Sequence, residues 1–202
     1  IIMSKFNIAV LISGNGSNLQ ALIDEFKSNS YINICCVISN QKEAHGLKRA
    51  DEANIDTHYI DHKRFTSREE FENELITNLE AYKPDLIVLA GFMRILSSLF
   101  VKKFLGKLIN IHPSLLPKYK GLDTHRRVIE AGEKFHGVTV HFVDNTLDGG
   151  PICAQSSIKV TTDNIKDLQQ EIHKLEHKLY PEVVSDIANK KISLSNGKVI
   201  RK

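Results

Sequence analysis

Four short runs decide what this chain can become: FNIAVLIS (6–13), INICCVIS (32–39), DLIVLAG (85–91) and KLINIH (107–112). They are apolar on consecutive residues, so a strand made from such a run needs cover on both faces. Between them the apolar period lengthens. SNLQALIDEF, from Ser17, puts Leu19, Leu22, Ile23 and Phe26 on one helical face. HGLKRADEAN reads as a second helix and THYI (57–60) as a short strand. Ser67 with Glu70 three residues on is a capping box, which opens a helix to about Tyr82 before Pro84 ends it. Strand and helix in alternation, with strands covered on both faces, predict an α/β fold: a doubly wound, mostly parallel sheet, Rossmann-like in its N-terminal half.

After residue 120 the texture changes. HGVTVHFV (136–143) alternates, a loop DNTLDGG follows, and PICAQSSIKV (151–160) is a further strand. These predict antiparallel additions to the same sheet. From about Asn164 to Asn189 the pattern is a long helix interrupted at Pro181, and ISLSNGKVIRK is a terminal hairpin turned on Asn196-Gly197. With 202 residues, 42% of them hydrophobic, the expectation is one domain spanning 1–202.

Composition removes several function classes. The net charge is +3, but the basic residues are interspersed with nearly as many acidic ones, so nucleic acid is not an expected partner. Cys35, Cys36 and Cys153 form no Cys-x-x-Cys pair, which suits a reducing compartment. No apolar stretch approaches the ~20 residues that span a bilayer, and the opening residues lack a signal peptide's charged start and cleavage site. The expected location is the cytoplasm.

Three stretches carry chemistry. SGNGSN (13–18) ends a strand in glycines and opens a helix, where free backbone N–H groups and the helix dipole suit a phosphate. The dinucleotide fingerprint would need glycine at 19, where Leu19 stands. The alternative is a tight turn whose glycines only permit the backbone angles, with Ser17 or Asn18 as cap. Asn110 and His112, at i and i+2 on one strand, lie on the same face roughly 6.6 Å apart. They sit at the carboxyl end of that strand, where open α/β sheets bind ligands. An amide and an imidazolium converging there are the donors a developing oxyanion needs; equally, both could satisfy backbone groups at a strand end. LDGGP (147–151) carries Asp148 on a glycine loop able to approach another strand end. Such a carboxylate near His112 would raise the imidazole's pKa, although Asp-Gly is also an ordinary turn. HKLEH (173–177) matches an inverted zinc-protease pattern, but the third ligand would have to be Glu182 or Asp186, closer than such folds supply. An amphipathic helix with solvated histidines fits better, and no metal is expected.

The segments VLISGNGSNLQALID, VLAGFMRILS, NIHPSLLPKYKGLDTH, HGVTVHFV and LDGGPI, in this order and spacing, resemble the phosphoribosylglycinamide formyltransferase family over roughly Phe6 to Asn189. Parts of the pattern are shared with the wider 10-formyltetrahydrofolate enzymes; SGNGSN points to the purine-synthesis branch. The resemblance implies a reaction. The amine of glycinamide ribonucleotide attacks the formyl carbon of 10-formyltetrahydrofolate, a co-substrate, and no metal is required. It also implies roles: Asn110 and His112 for the oxyanion, with His112 as general acid, and Asp148 to hold the charged imidazole and a proton-shuttling water. Gly16, Ser17, Asn18 and Glu176 would hold the ribonucleotide. Arg68, Met93, Arg94, Ile95, Leu96, Val143 and Asp144 would lie on the folate side. On this reading about 1–105 is the phosphate-binding half and about 106–190 the catalytic and folate-binding half, acting on small molecules as monomer or homodimer. Lys120, Asp123 and VDNT (143–146) depart from the family pattern and bear on loop shape and folate affinity. Methionyl-tRNA formyltransferase would bring a further basic domain and formyltetrahydrofolate hydrolase an extra N-terminal one. A non-catalytic nucleotide-binding module would have no use for Asn110, His112 and Asp148 together.

Overall fold

The computed structural model describes residues 4–202; the reading of the first residues as lacking a signal falls partly outside it, at Ile1 to Met3. Strands β1 (Phe6–Ile12), β2 (Ile32–Ser39), β3 (Thr57–Tyr59), β4 (Leu86–Leu89), β5 (Leu108–His112), β6 (Phe135–Phe142) and β7 (Ile152–Lys159) form a seven-stranded sheet in the order β3-β2-β1-β4-β5-β6-β7. The order reverses beside β1, as in doubly wound folds. A separate two-stranded sheet pairs β8 (Ile192–Ser195) with β9 (Lys198–Arg201). Contacts group the chain into two compact units, 1–109 and 110–202.

In the first unit β1 pairs in parallel with β2 and β4, and β2 with β3. Ile8 to Ile12 have no solvent exposure, which is what a run apolar on both faces requires. Helix α1 (Ser17–Phe26) buries Leu19, Leu22, Ile23 and Phe26, the face its spacing predicts. Helix α2 (His45–Glu52) packs on α1, β2 and β3. Helix α3 (Arg68–Tyr82) starts at Ser67, whose Oγ accepts from the Glu70 N–H at 3.1 Å. Only half of the capping box forms. The Glu70 carboxylate accepts instead from the N–H and hydroxyl of Thr66, one residue upstream. A short helix α4 (Ser98–Lys103), absent from the sequence reading, is capped by Ser97.

In the second unit β6 and β7 are antiparallel, with a register shift between Val140 and His141. Helix α5 (Thr124–Glu130), also absent from the sequence reading, follows a left-handed Asp123. Helix α6 (Ile165–Ala188) packs on β6, β7, β8 and α5. It corrects one expectation: α6 runs through Pro181 without a break. Proline forfeits one helical hydrogen bond and crowds the preceding turn, a cost of about 3 kcal/mol. Here Pro181 is buried with Tyr180, Val183 and Val184, and burying such side chains is worth about 1.5–3 kcal/mol apiece, enough to hold the helix together. The terminal hairpin turns on Asn196 and Gly197, both with positive φ, as a two-residue type I′ turn demands.

Candidate active site

The first unit supplies the glycine loop. Helix α1 begins after Gly16, which is left-handed (φ 76°), and it has no side-chain cap and no acidic residue in its first turn. Gly16 takes the cap position and brings no side chain to it, and the first turn holds no carboxylate to repel an anion. The loop is braced from α2. The Gly46 N–H donates to the Gly14 carbonyl at 3.1 Å, and the Arg49 guanidinium donates to the Asn15 carbonyl and Asn15 Oδ1, both at 2.8 Å, and to Gln20 Oε1 at 3.3 Å. A Cβ on Gly16 would stand 2.6 Å from the Gly46 Cα, so only glycine lets loop and helix approach.

Met93 to Leu96 leave the end of β4 beside that loop. The Ser13 hydroxyl accepts from the Met93 N–H at 2.8 Å and donates to Asn40 Oδ1 at 2.5 Å. Met93 and Ile95 are 68% and 72% exposed, apolar side chains offered to solvent as a flat-ring ligand would need them. Arg94 and Leu96 are half-buried. The segment ends at Ser97, whose N–H and hydroxyl both donate to the buried Glu72 carboxylate of α3. Arg68 is exposed, one turn before Glu72.

The second unit holds the candidate acid–base set. Asn110, half-buried, and His112, buried, share one face of β5. His112 Nδ1 lies 3.6 Å from Asp148 Oδ2, an ion-pair distance, and the two side chains are only 8% and 11% exposed. The other ring nitrogen is occupied: Nε2 is 2.8 Å from the Tyr119 carbonyl. A carbonyl can only accept, so Nε2 carries a proton and Nδ1 is the nitrogen left to exchange one. Asp148 Oδ2 in turn accepts from the Gly121 N–H at 2.8 Å. Asp148 is itself left-handed (φ 48°), at the head of the glycine loop. A Cβ on Gly150 would fall 1.8 Å from the Phe142 carbonyl, so this loop closes on the end of β6 as its glycines suggest. Val143 and Asp144 lie between, both half-buried, with Asp144 Oδ1 accepting from the N–H and hydroxyl of Thr146.

The chain between His112 and Tyr119 is pinned by polar side chains. The Thr139 hydroxyl donates to the Ser114 carbonyl at 2.7 Å and accepts from the Leu116 N–H at 3.1 Å, and the Ser114 hydroxyl donates to the Lys118 carbonyl at 2.7 Å. Further histidines surround the set. His141 Nδ1–H donates to the Phe142 carbonyl, its Nε2 has no hydrogen-bond partner among the described residues, and burial holds its pKa below the ordinary value. His125 and His136 face each other at 3.0 Å; burial, then each other's charge, pushes His136 down to about 4. Glu176 is buried on α6, and the rings of His173 and His177 stack at 6.2 Å. Among the described residues no group of three or more His, Cys, Asp or Glu is placed to hold a metal ion. None of the described helices is long and apolar enough to cross a membrane.

The sequence reading named the side chains of this set but not Tyr119, Gly121, Thr139 or His141. Tyr119 and Gly121 act through backbone atoms, for which sequence offers no signal beyond the glycine. Residues 6–184 match the Formyl transferase family model. The chain is 49% identical to Escherichia coli phosphoribosylglycinamide formyltransferase over 190 residues, 93% of this chain and 90% of that protein. It is 44% identical over 198 residues to the human trifunctional purine biosynthetic protein adenosine-3, covering 96% of this chain but 20% of that longer protein. Its fold superposes on the phosphoribosylglycinamide formyltransferase of Coxiella burnetii with a TM-score of 0.94 at 49% identity, covering 98% and 94% of the two chains. A family model matched over residues 6–184, with relatives and a solved structure about half identical over nearly the whole chain, shows that the chain belongs to the formyl transferase family.

Proposed function

We infer that this enzyme transfers the formyl group of 10-formyltetrahydrofolate to the amine of 5′-phosphoribosylglycinamide, giving the formylated ribonucleotide and tetrahydrofolate for purine synthesis. The observation that carries the chemistry is the state of His112. Its Nε2 is committed to the Tyr119 carbonyl and its Nδ1 faces Asp148, so a single ring nitrogen is left to hold and release a proton. As the amine forms its bond to the formyl carbon, the formyl oxygen takes up the displaced electron pair. The Asn110 amide and protonated His112 donate to that oxyanion, and the Asp148 carboxylate compensates the charge on the ring. The bond from carbon to the folate nitrogen then breaks, and His112 returns its proton to that nitrogen. The amine's surplus proton leaves through a water held by Asp148.

Gly16, Ser17 and Asn18 receive the ribonucleotide phosphate at the open start of α1, and Glu176 takes part in holding the substrate. Arg68, Met93, Arg94, Ile95, Leu96, Val143 and Asp144 serve the folate, with Met93 and Ile95 supplying apolar surface for the pterin ring. Residues 1–202 work as one formyltransferase domain, as monomer or homodimer in the cytoplasm, on small molecules and without nucleic acid. Formyl transfer from 10-formyltetrahydrofolate, followed spectroscopically with and without the ribonucleotide, tests this reading. Turnover that needs the ribonucleotide supports it. Formate release without the ribonucleotide would make the enzyme a hydrolase, and turnover with a different amine would reassign the acceptor.

A further inference from the structure

Tyr119 lends His112 its carbonyl from a backbone conformation that a tyrosine resists. Tyr119, Gly121 and Asp123 all have positive φ, 57°, 80° and 55°. A left-handed conformation is routine for glycine but strained for a bulky residue, and it persists only where the surroundings impose it. The same short stretch supplies both fixed contacts of the acid–base pair, the Tyr119 carbonyl to His112 and the Gly121 N–H to Asp148. Whatever holds 119–122 in place therefore sets where the His112 proton resides.

Two residues outside the acid–base set do the holding. Arg127, on α5, lays its guanidinium over the Tyr119 ring, 5.3 Å from the centroid. Its Nη1 donates to the carbonyls of Lys120 at 2.6 Å and Leu122 at 3.2 Å, the residues on either side of Gly121. Glu133, just before β6, accepts the Tyr119 hydroxyl at 2.8 Å on the same Oε1 that meets Lys118 Nζ at 2.8 Å. Lys118 and then Tyr119 hold the Glu133 carboxyl below the ordinary carboxylate range, so it stays an acceptor at neutral pH. Ring face, hydroxyl and the Lys120 and Leu122 carbonyls are thereby engaged, which is what a strained residue needs to keep one orientation.

We propose that Arg127 and Glu133 are positioning residues: by clamping Tyr119 they aim its carbonyl at His112 Nε2, which fixes the ring tautomer and leaves Nδ1 to handle the proton. The kinetic consequence rests on the formyl-transfer reading; the tautomer consequence does not. Without the clamp, 119–122 relaxes towards unstrained angles, the carbonyl leaves Nε2, and the neutral ring can place its proton on either nitrogen. Small misplacements of an acid–base group are expensive in rate even when binding is unaffected.

The test uses the full chain with nitrogen-15 histidine, in wild type, Arg127→Met, Glu133→Ala and Glu133→Gln. The wild-type His112 resonances should show Nε2 protonated in the neutral ring. In Arg127→Met and Glu133→Ala they should shift to a mixture of tautomers while the amide spectrum stays folded. In the transfer assay kcat should fall by about tenfold in both, with each KM within about twofold. Glu133→Gln keeps an acceptor for the Tyr119 hydroxyl and should recover most of the loss. Should Arg127→Met fail to fold, Tyr119→Phe removes the hydroxyl tie alone and must give the same direction of change. An unchanged His112 pattern in the variants would overturn the proposal, as would a loss of kcat with the wild-type tautomer retained. If the wild type transfers no formyl group to the ribonucleotide, the functional reading fails while the resonances still decide the clamp.

Discussion

The two regions that the proposed reaction needs are built in opposite ways. The candidate phosphate loop at 14–18 is mainly backbone: glycines, a helix start with no side-chain cap at Gly16, and an arginine from α2 bracing Asn15 from behind. The acid–base set at β5 consists of side chains, Asn110, His112 and Asp148, whose settings come from the backbone of a left-handed stretch. A backbone site tolerates substitution of its polar side chains but not of its glycine. A side-chain site is the reverse, since each group has one role that no neighbour can assume. The difference predicts where activity is lost outright and where it is only weakened.

The largest effect belongs to the side-chain site. On the proposed reading His112→Ala removes the proton donor for the leaving nitrogen, and kcat should drop by about 10²–10⁴-fold with the folded state intact. Asp148→Asn keeps an acceptor for the Gly121 N–H but loses the charge beside the ring, and should fall within the same range. Steady-state kinetics alongside thermal unfolding check both. Turnover within a few-fold of wild type in either variant would refute the assignment and with it the contrast between the regions.

The glycine loop should answer with stability and affinity instead. Gly16→Ala places a methyl 2.6 Å from the Gly46 Cα on a residue with φ 76°, so α1 and α2 must separate. About 1–3 kcal/mol of stability should go, seen in denaturant unfolding, with a raised KM for the ribonucleotide. A smaller change is expected from Arg49→Ala, which leaves the glycines in place and removes only the brace. Its three hydrogen bonds are partly exposed, so a loss of about 1 kcal/mol is reasonable, which is about fivefold in KM for the ribonucleotide at unchanged kcat. An equal fall in kcat after Arg49→Ala would mean that the loop takes part in the chemical step, and the two regions would not be separable.

Legibility divides along the same line. Runs apolar on both faces read correctly as buried parallel strands because burial on two sides leaves no alternation to misread, and β1 and β2 fall where FNIAVLIS and INICCVIS place them. Asn110 and His112 were legible because i, i+2 spacing on a strand fixes a shared face. HGVTVHFV misleads. Alternation implies one wet face, yet only Phe135 of β6 is exposed, since α6 packs on this strand and hydrogen bonds satisfy His136 and Thr139 inside. The register shift at Val140/His141 further breaks the parity that would have told which way His141 points. Helices α4 and α5 are too short for a period to show. The carbonyl of Tyr119 was beyond reach because it depends on the sign of φ at residues other than glycine, which tertiary contacts decide.

The smallest expected effect comes from the buried histidine pair, and it tests whether the second unit's polar interior carries a pH dependence of its own. His136 is buried against His125, with His112 adding to the repulsion, and its pKa falls from 6.5 to about 4. Above pH 6.5 the ring is neutral in both the folded and unfolded chain and contributes no pH dependence. As pH drops from 6.5 towards 4 the unfolded chain takes up a proton that folded His136 refuses, so stability declines across that window and levels off below it. His125, His141 and His173 are shifted down as well, chiefly by burial, and add the same sign. His136→Gln should therefore make the decline shallower by one proton's share without abolishing it, as read from denaturant midpoints between pH 7 and pH 4. A variant curve parallel to wild type would show that His136 titrates normally and that its burial is relieved by a partner other than His125.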